Sequence, residues 1–301
     1  MHKRRVIHMF DPSPHTSPFD INFAVDAEFD VVVPYNNVKL EEIRGLVQDV
    51  IFSRGAAGVK MTGIFIGGRD IGLAMSMLDA ARKAMVPPFE VSVLADPSGA
   101  FTTAAALVAC VEKELKTKHG TDLKGCRAIV FGGTGPVGIA TGVICASAGA
   151  DVSLVDHLSI DVALEKADQY NKLCKCTMRG TYASSDADKA RLVSNADVVF
   201  CTAKAGIQVL NASVLGDAKE LKVAGDVNAV PPLGIEGIKR HDFGRELEYA
   251  TASEGAVGIG ARAVGDVKYN LQHVLLDLLL ESQRPIFIDF RDAFTKARSL
   301  V

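Results

Sequence analysis

A chain of 301 residues, 48% of them hydrophobic and 23% charged, has enough apolar material for one large core or two adjoining ones, which excludes disorder as its main state. The net charge of -3 and pI near 6.2, with Lys, Arg, Asp and Glu interspersed, exclude a sequence-independent attraction to nucleic acid or an anionic membrane. A small-molecule partner is expected instead.

The basic start, Lys3-Arg4-Arg5, runs into His8, Asp11 and two prolines, so no export signal is readable. Short runs rich in Val, Ile and Phe at 6–10, 29–33, 63–66 and 91–94 predict strands, and apolar residues at helical spacing in 40–52 and 71–85 predict helices between them. Leu40, Ile43, Leu46, Val47 and Val50 form one apolar face. Residues 102–118 read as a further helix, ended by a polar turn that places a domain boundary near residue 120. The pattern then restarts, with strands at 128–131, 152–155, 197–201 and 221–224, helices at 137–148 and 160–172, and a last strand at 286–290. Strand and helix alternating in this way predict parallel sheets. The apolar run 271–280 is broken by His273 and Asp277 and is shorter than the roughly 20 residues of a spanning helix, so a soluble, cytoplasmic protein is expected. Six cysteines fall mostly in apolar runs, the pattern of buried thiols in a reducing compartment. Cys174-Lys175-Cys176 has neither redox nor zinc spacing and no His at ligand distance, so no metal is expected.

Strand 128–131 runs into Gly132-Gly133-Thr134-Gly135-Pro136-Val137-Gly138 and then a helix, so Gly133, Gly135 and Gly138 satisfy G-x-G-x-x-G where that motif binds a dinucleotide. Gly133 is assigned the tight turn, Gly135 the close approach of backbone to pyrophosphate, and Gly138 the packing of helix on strand. The next strand ends in Asp156, about 20 residues past the loop, where a carboxylate accepts hydrogen bonds from a ribose 2′-hydroxyl or else caps the following turn. That acid would repel the 2′-phosphate of NADP, which favours NAD; the neighbouring His157 keeps NADP possible. Thr202 and Ala203, with Asn228, stand after later strands, where a nicotinamide lies. Asn228 either contacts it or starts a proline-stiffened turn. The fold class is thus α/β with two domains: a smaller α/β substrate domain over 1–120, a Rossmann-type doubly wound parallel domain over 121–275, and a return segment over 276–301 that packs on the first.

Several segments together resemble the methylene-tetrahydromethanopterin dehydrogenase family: Ser17-Pro18-Phe19-Asp20, Gly63 to Gly68, Ala95 to Thr103, Gly132 to Gly138, Asp226 to Ile235 and Gly258-Ile259-Gly260. Val155-Asp156-His157, in place of a basic pair, is similar to the branch that accepts NAD as well as NADP. The resemblance implies a pterin cleft between domains, homo-oligomers, and oxidation of 5,10-methylene-tetrahydromethanopterin to the methenyl form, a step of one-carbon (formaldehyde) oxidation in methylotrophy. Hydride leaves a carbon flanked by two nitrogens whose lone pairs stabilise the cation, so no proton need be abstracted and the protein supplies placement and electrostatics. Asp20 and Asp96 would suit such a cation; Asp20 alternatively caps a helix beginning at Ile21, and Asp96 alternatively fixes a turn. Lys268 is assigned to positioning the pterin, as the basic member of the catalytic set. His15, Ser17 and Phe19 are expected at the pterin, and Thr102 and Thr103 either line the pocket or cap their helix. Three alternatives stay open: a methylene-tetrahydrofolate dehydrogenase, an amino-acid or shikimate-type dehydrogenase, and an NAD(H)-sensing regulator. The second needs a Lys–Asp proton relay that the sequence does not display, and the third a partner-binding module that is not visible.

Overall fold

The computed structural model describes residues 3–301. By its internal contacts the chain divides into two units, residues 1–102 with 269–293, and 103–268 with 294–301. The expected boundary near residue 120 moves to 102/103, inside one long helix, and the last eight residues join the second unit rather than the first.

The first unit contains β1 (Val6–Phe10), α1 (Pro18–Asp26), β2 (Val31–Tyr35), α2 (Ile43–Phe52), α3 (Gly55–Val59), β3 (Thr62–Ile66), α4 (Ile71–Ala84) and β4 (Ser92–Ala95). After β4 comes α5 (Ala100–His119), which carries the chain into the second unit. Every residue of β3 and β4 is buried, as expected of parallel strands covered on both faces. On α2 the buried face is Ile43, Val47, Val50 and Ile51; Leu40 stands outside it because Leu40–Glu42 is a separate 3₁₀ turn.

The second unit continues with β5 (Arg127–Phe131), α6 (Pro136–Ser147), β6 (Asp151–Asp156), α7 (Ile160–Cys174), β7 (Met178–Tyr182), α8 (Asp186–Val193) and β8 (Val198–Cys201). It is completed by α9 (Ala212–Gly216), β9 (Val223–Asp226), β10 (Phe243–Glu246) and β11 (Val257–Ile259). The helix α10 (Ala261–Glu281) leads back to the first unit, which adds β12 (Phe287–Ile288) before α11 (Phe290–Ala297). The final strand expected at 286–290 is therefore two residues long, because Phe290 already begins a helix.

Strand order in the first sheet is β12-β4-β3-β1-β2, all pairs parallel. In the second it is β10-β11-β9-β8-β5-β6-β7, parallel except for the edge pair β10–β11. Strand order reverses between β1 and β3 in one sheet and between β5 and β8 in the other. In open α/β sheets, ligands bind beyond the carboxyl ends of the strands at such reversals. Among the described residues no helix is long and apolar enough to cross a membrane.

Candidate active site

In the second unit the glycine segment follows β5 and the 202–206 segment follows β8, so the two flank the reversal point. Gly132, not Gly133, makes the tight turn: its φ is +70°, a region that favours glycine. A Cβ on Gly132 would stand 2.7 Å from the Ala203 amide nitrogen. Gly133 is needed for closeness instead, since a Cβ there would lie 2.7 Å from the Val130 carbonyl oxygen and 2.8 Å from Leu154 Cα. Gly138 allows the close helix packing expected of it, since a Cβ would come within 2.3 Å of the Gly132 oxygen and 2.7 Å of Gly133 Cα. Gly135 differs from all three. Its nearest protein atom would be the Gly132 oxygen at 3.4 Å, so nothing within the protein demands a glycine there.

Gly135 is the N-cap of α6, Pro136 its first residue, and the first helical hydrogen bond runs from the Ile139 amide to the Gly135 carbonyl. The amides of Val137 and Gly138 precede that bond and face the helix's positive end, which is the donor set a pyrophosphate requires. Thr202 braces the loop by donating to the Phe131 oxygen at 2.9 Å.

Asp156, at the end of β6, is only 7% exposed. Its Oδ1 accepts from the amides of Leu158 (2.7 Å) and Ser159 (2.9 Å), and its Oδ2 from the Thr134 hydroxyl at 2.6 Å. Burial opposes its charge, but the Thr134 hydroxyl, the Ser159 and Leu158 amides and the nearby His157 outweigh burial and hold the carboxyl below its ordinary range. The turn-capping alternative is therefore realised, while a carboxylate remains beside the exposed His157.

Asn228 requires a correction. Its side chain is buried; Oδ1 accepts from the Gly206 and Val230 amides, and Nδ2 donates to the Pro232 oxygen at 2.9 Å. It ties two loops together, leaving its amide engaged at both ends rather than offered to a nicotinamide. Sequence reasoning missed the residue beneath it. Asp226 is 1% exposed and accepts from the Asn228 amide (2.9 Å) and the Ile235 amide (3.1 Å), fastening both ends of the 228–235 loop. Burial pushes its carboxyl up to about 6, against the opposing pull of the Asn228, Ile235 and Gly234 amides and the Cys201 thiol. An acid ending an apolar strand ahead of Asn and two prolines was the available signal.

In the first unit, His15, Ser17 and Phe19 lie between β1 and α1 or at the start of α1, at the carboxyl end of the strand beside the reversal. Ser17 is the N-cap of α1 and Asp20 falls in its first turn, so Asp20 is not the cap of a helix beginning at Ile21. Asp20 is buried, in the turn where the helix dipole favours a carboxylate. Asp96 and Thr102 are corrected as contact residues: both are 0% exposed. Asp96 accepts from the Phe101 and Thr102 amides, and Thr102 donates its hydroxyl to Asp96 at 2.6 Å, so the pair caps α5. Thr103, half-buried, opens the second unit; Lys268, half-buried on α10, closes its main segment.

Not anticipated was an aromatic group in the first unit. Phe19 and Phe23 sit one helical turn apart with ring centres at 4.7 Å, and Phe23 packs on Tyr269 at 5.2 Å and His273 at 5.1 Å. Phe19 and Tyr269 are 51% and 49% exposed, which leaves ring faces for a flat ligand. The i, i+4 spacing of Tyr269 and His273 was the signal, masked because charged residues interrupt the apolar pattern of α10. Among the described residues no group of His, Cys, Asp and Glu stands together as a metal site.

A family model for methylene-tetrahydromethanopterin dehydrogenase, N-terminal, matches residues 18–98. The chain is 42% identical to the NAD(P)-dependent methylenetetrahydromethanopterin dehydrogenase of Methylorubrum extorquens over 294 residues, 98% of each chain. It is 32% identical to the bifunctional protein MdtA of the same organism over 297 residues, 99% of each. Among solved structures, an NAD-dependent malic enzyme from Thermotoga maritima superimposes with a TM-score of 0.56 at 12% identity, covering 99% of this chain and 84% of that one. Shikimate 5-dehydrogenase from Listeria monocytogenes, in complex with shikimate and NAD, gives 0.52 at 13% identity, covering 94% and 93%. These structural likenesses show the fold alone.

Proposed function

Because the chain belongs to the methylene-tetrahydromethanopterin dehydrogenase family, we propose that it oxidises 5,10-methylene-tetrahydromethanopterin to the 5,10-methenyl form with NAD(P)+, as a step of one-carbon (formaldehyde) oxidation. The observation that carries this reading is 42% identity along 98% of both chains to an enzyme of that name. The glycine loop supports it: two amides precede the first hydrogen bond of α6, beside a Gly135 that no neighbouring atom requires.

When bound, the nicotinamide supplies the hydride acceptor. The residues of the chain hold and orient. Val137 and Gly138 offer amides to the pyrophosphate, Thr134 and Pro136 shape the loop, and Asp156 and His157 meet the adenosine ribose. Thr202 and Ala203, with the loop that Asp226 and Asn228 fasten, set the edge on which the nicotinamide rests. Phe19 offers a ring face to the pterin, near His15 and Ser17 in sequence, and Tyr269 offers a second. Asp20 supplies negative charge for the developing cation, and Lys268 positions the anionic carrier. Because the product cation is stabilised by its own nitrogens, this set needs no general base. We place the enzyme in the cytoplasm as a homo-oligomer; light scattering on purified protein tests the assembly.

The test is a spectrophotometric assay for methenyl product and reduced nicotinamide, run with methylene-tetrahydromethanopterin or methylene-tetrahydrofolate and with NAD+ or NADP+. Turnover with the methanopterin carrier and either cofactor is expected; cofactor binding without turnover on any carrier would refute the assignment. An Asp20→Ala variant should lose turnover while keeping its NAD affinity, and a fully active variant removes Asp20 from the site.

A further inference from the structure

We propose that Thr134 is a specificity-determining residue, whose hydroxyl holds Asp156 in a posture that lets one site accept both a ribose 2′-hydroxyl and a 2′-phosphate. The inference rests on the dinucleotide reading above and deepens it. An acid at the end of the second strand of such a unit ordinarily selects the 2′-hydroxyl, by accepting its hydrogen bond and repelling phosphate. Here that acid is spoken for. Both oxygens of Asp156 are engaged within the protein: Oδ1 by two backbone amides at 2.7 and 2.9 Å, Oδ2 by the Thr134 hydroxyl at 2.6 Å.

Two consequences follow from this arrangement. The donors around the carboxylate offset its negative charge at short range, which weakens the repulsion a 2′-phosphate would meet. Three of the carboxylate's roughly four lone-pair sites are thus taken, which leaves less for a 2′-hydroxyl, so the usual preference for NAD is weakened from both directions. What the protein exposes next along the chain is His157 and Leu158, neither of which excludes a phosphate. Thr134 is the one side chain among these donors, and so the one that substitution can remove without rebuilding the backbone. It belongs to the glycine loop itself, in the variable position between Gly133 and Gly135.

The experiment is equilibrium titration of the purified full-length protein with NADH and with NADPH, following nicotinamide fluorescence, for the parent chain, Thr134→Val, Thr134→Ser, Asp156→Asn and the double variant Thr134→Val/Asp156→Asn. The readout is the ratio of the NADPH Kd to the NADH Kd, in which effects on the shared pyrophosphate site cancel. Thr134→Val frees Oδ2 to accept from the ribose, so the ratio should rise roughly tenfold, the change that one hydrogen bond to an ion transmits. Thr134→Ser keeps the hydroxyl and should hold the parent ratio. Asp156→Asn should lower the ratio, and adding Thr134→Val to it should move the ratio no further, because the two act through one contact. A ratio unmoved or lowered by Thr134→Val, or raised equally in the Asp156→Asn background, overturns the proposal. If the parent chain binds neither nucleotide, the dinucleotide reading falls and takes this inference with it; if it binds both and the ratio does not respond, this inference alone falls.

Discussion

Three glycines of one segment make a prediction in which folding and binding separate. Gly138 and Gly142 both lie within α6, so replacing either by Ala gains about 1 kcal/mol of helix propensity. At Gly138 the new methyl would meet backbone, with the Gly132 oxygen at 2.3 Å and Gly133 Cα at 2.7 Å. Backbone cannot rotate aside, so the cost belongs at the upper end of overpacking, about 3 kcal/mol, for a net loss of about 2 kcal/mol. At Gly142 the methyl meets side-chain ends, Leu154 Cδ2 at 2.6 Å and Met178 Sδ at 2.9 Å. Those ends can shift, and the net change should be within about 1 kcal/mol of zero. Gly135→Ala encounters only the Gly132 oxygen at 3.4 Å from a backbone with φ of -80°, so stability should change by less than about 0.5 kcal/mol. The same methyl would project where the pyrophosphate approaches, and NADH affinity should fall at least roughly tenfold. Urea unfolding followed by circular dichroism and NADH fluorescence titration measure the two effects. A Gly142→Ala variant as unstable as Gly138→Ala, or a Gly135→Ala variant binding NADH as tightly as the parent, would refute this account.

Asp226 carries a pH signature: its folded value of about 6 lies above the unfolded 3.8, so the protonated form is the one folding favours. Its contribution to stability is therefore complete below about pH 4 and is lost as pH rises through 6; about two pH units at about 1.4 kcal/mol each amount to about 3 kcal/mol. Urea midpoints between pH 4 and 8 should show that slope in the parent chain and lack it in Asp226→Asn; equal slopes would exclude Asp226 as its source. Asn228→Ala removes three hydrogen bonds, one joining the 206 loop to the 228–235 loop and two within the latter. Trypsin cleavage after the exposed Lys204 should accelerate and the KM for NAD+ should rise, both measurable on one preparation. Arg298→Ala strips the buried Glu112 of bonds at 2.7 and 2.6 Å while leaving Lys116 at 3.2 Å. With the arginine side chain 43% exposed and the pair screened accordingly, the loss should be about 1–2 kcal/mol by urea titration, and Glu112→Gln/Arg298→Ala should recover part of it.

The parallel architecture and the glycine loop were legible because their signals are local. The apolar runs that became β1, β3, β5 and β6 are short and dense, interrupted only by His8 in β1 and Ser153 in β6, and the glycine spacing is read over seven residues. What escaped was set by neighbours distant in sequence. β10 and β11 are short and contain Gly244 and Gly258, so neither shows an alternating pattern of its own; they exist because β9 offers an edge. The helix α10 spreads its apolar residues among charges from Arg262 onward, and only the run 271–280 stands out. Among site residues, the sequence left a ligand contact and a turn or cap open for Asn228, Asp96 and Thr102, and the hydrogen bonds realise the turn or cap. Each of the three is buried and engaged by the protein's own loops. Nothing in a linear spacing tells a carboxylate that faces a ligand from one that faces an amide five residues onward.

The first sheet draws its outer strand, β12, from residues 287–288, while residues 103–268 form the other unit. During synthesis β3 can pair with β4 early, yet β4 lacks its outer neighbour until residues 287–288 have been made. A nascent chain thus carries an open, fully buried-type edge through most of translation, the kind of surface that chaperones hold and that pairs with a second copy if left uncovered. Stop codons or frameshifts ahead of residue 287 would accordingly damage the first sheet, most of whose strands are encoded earlier.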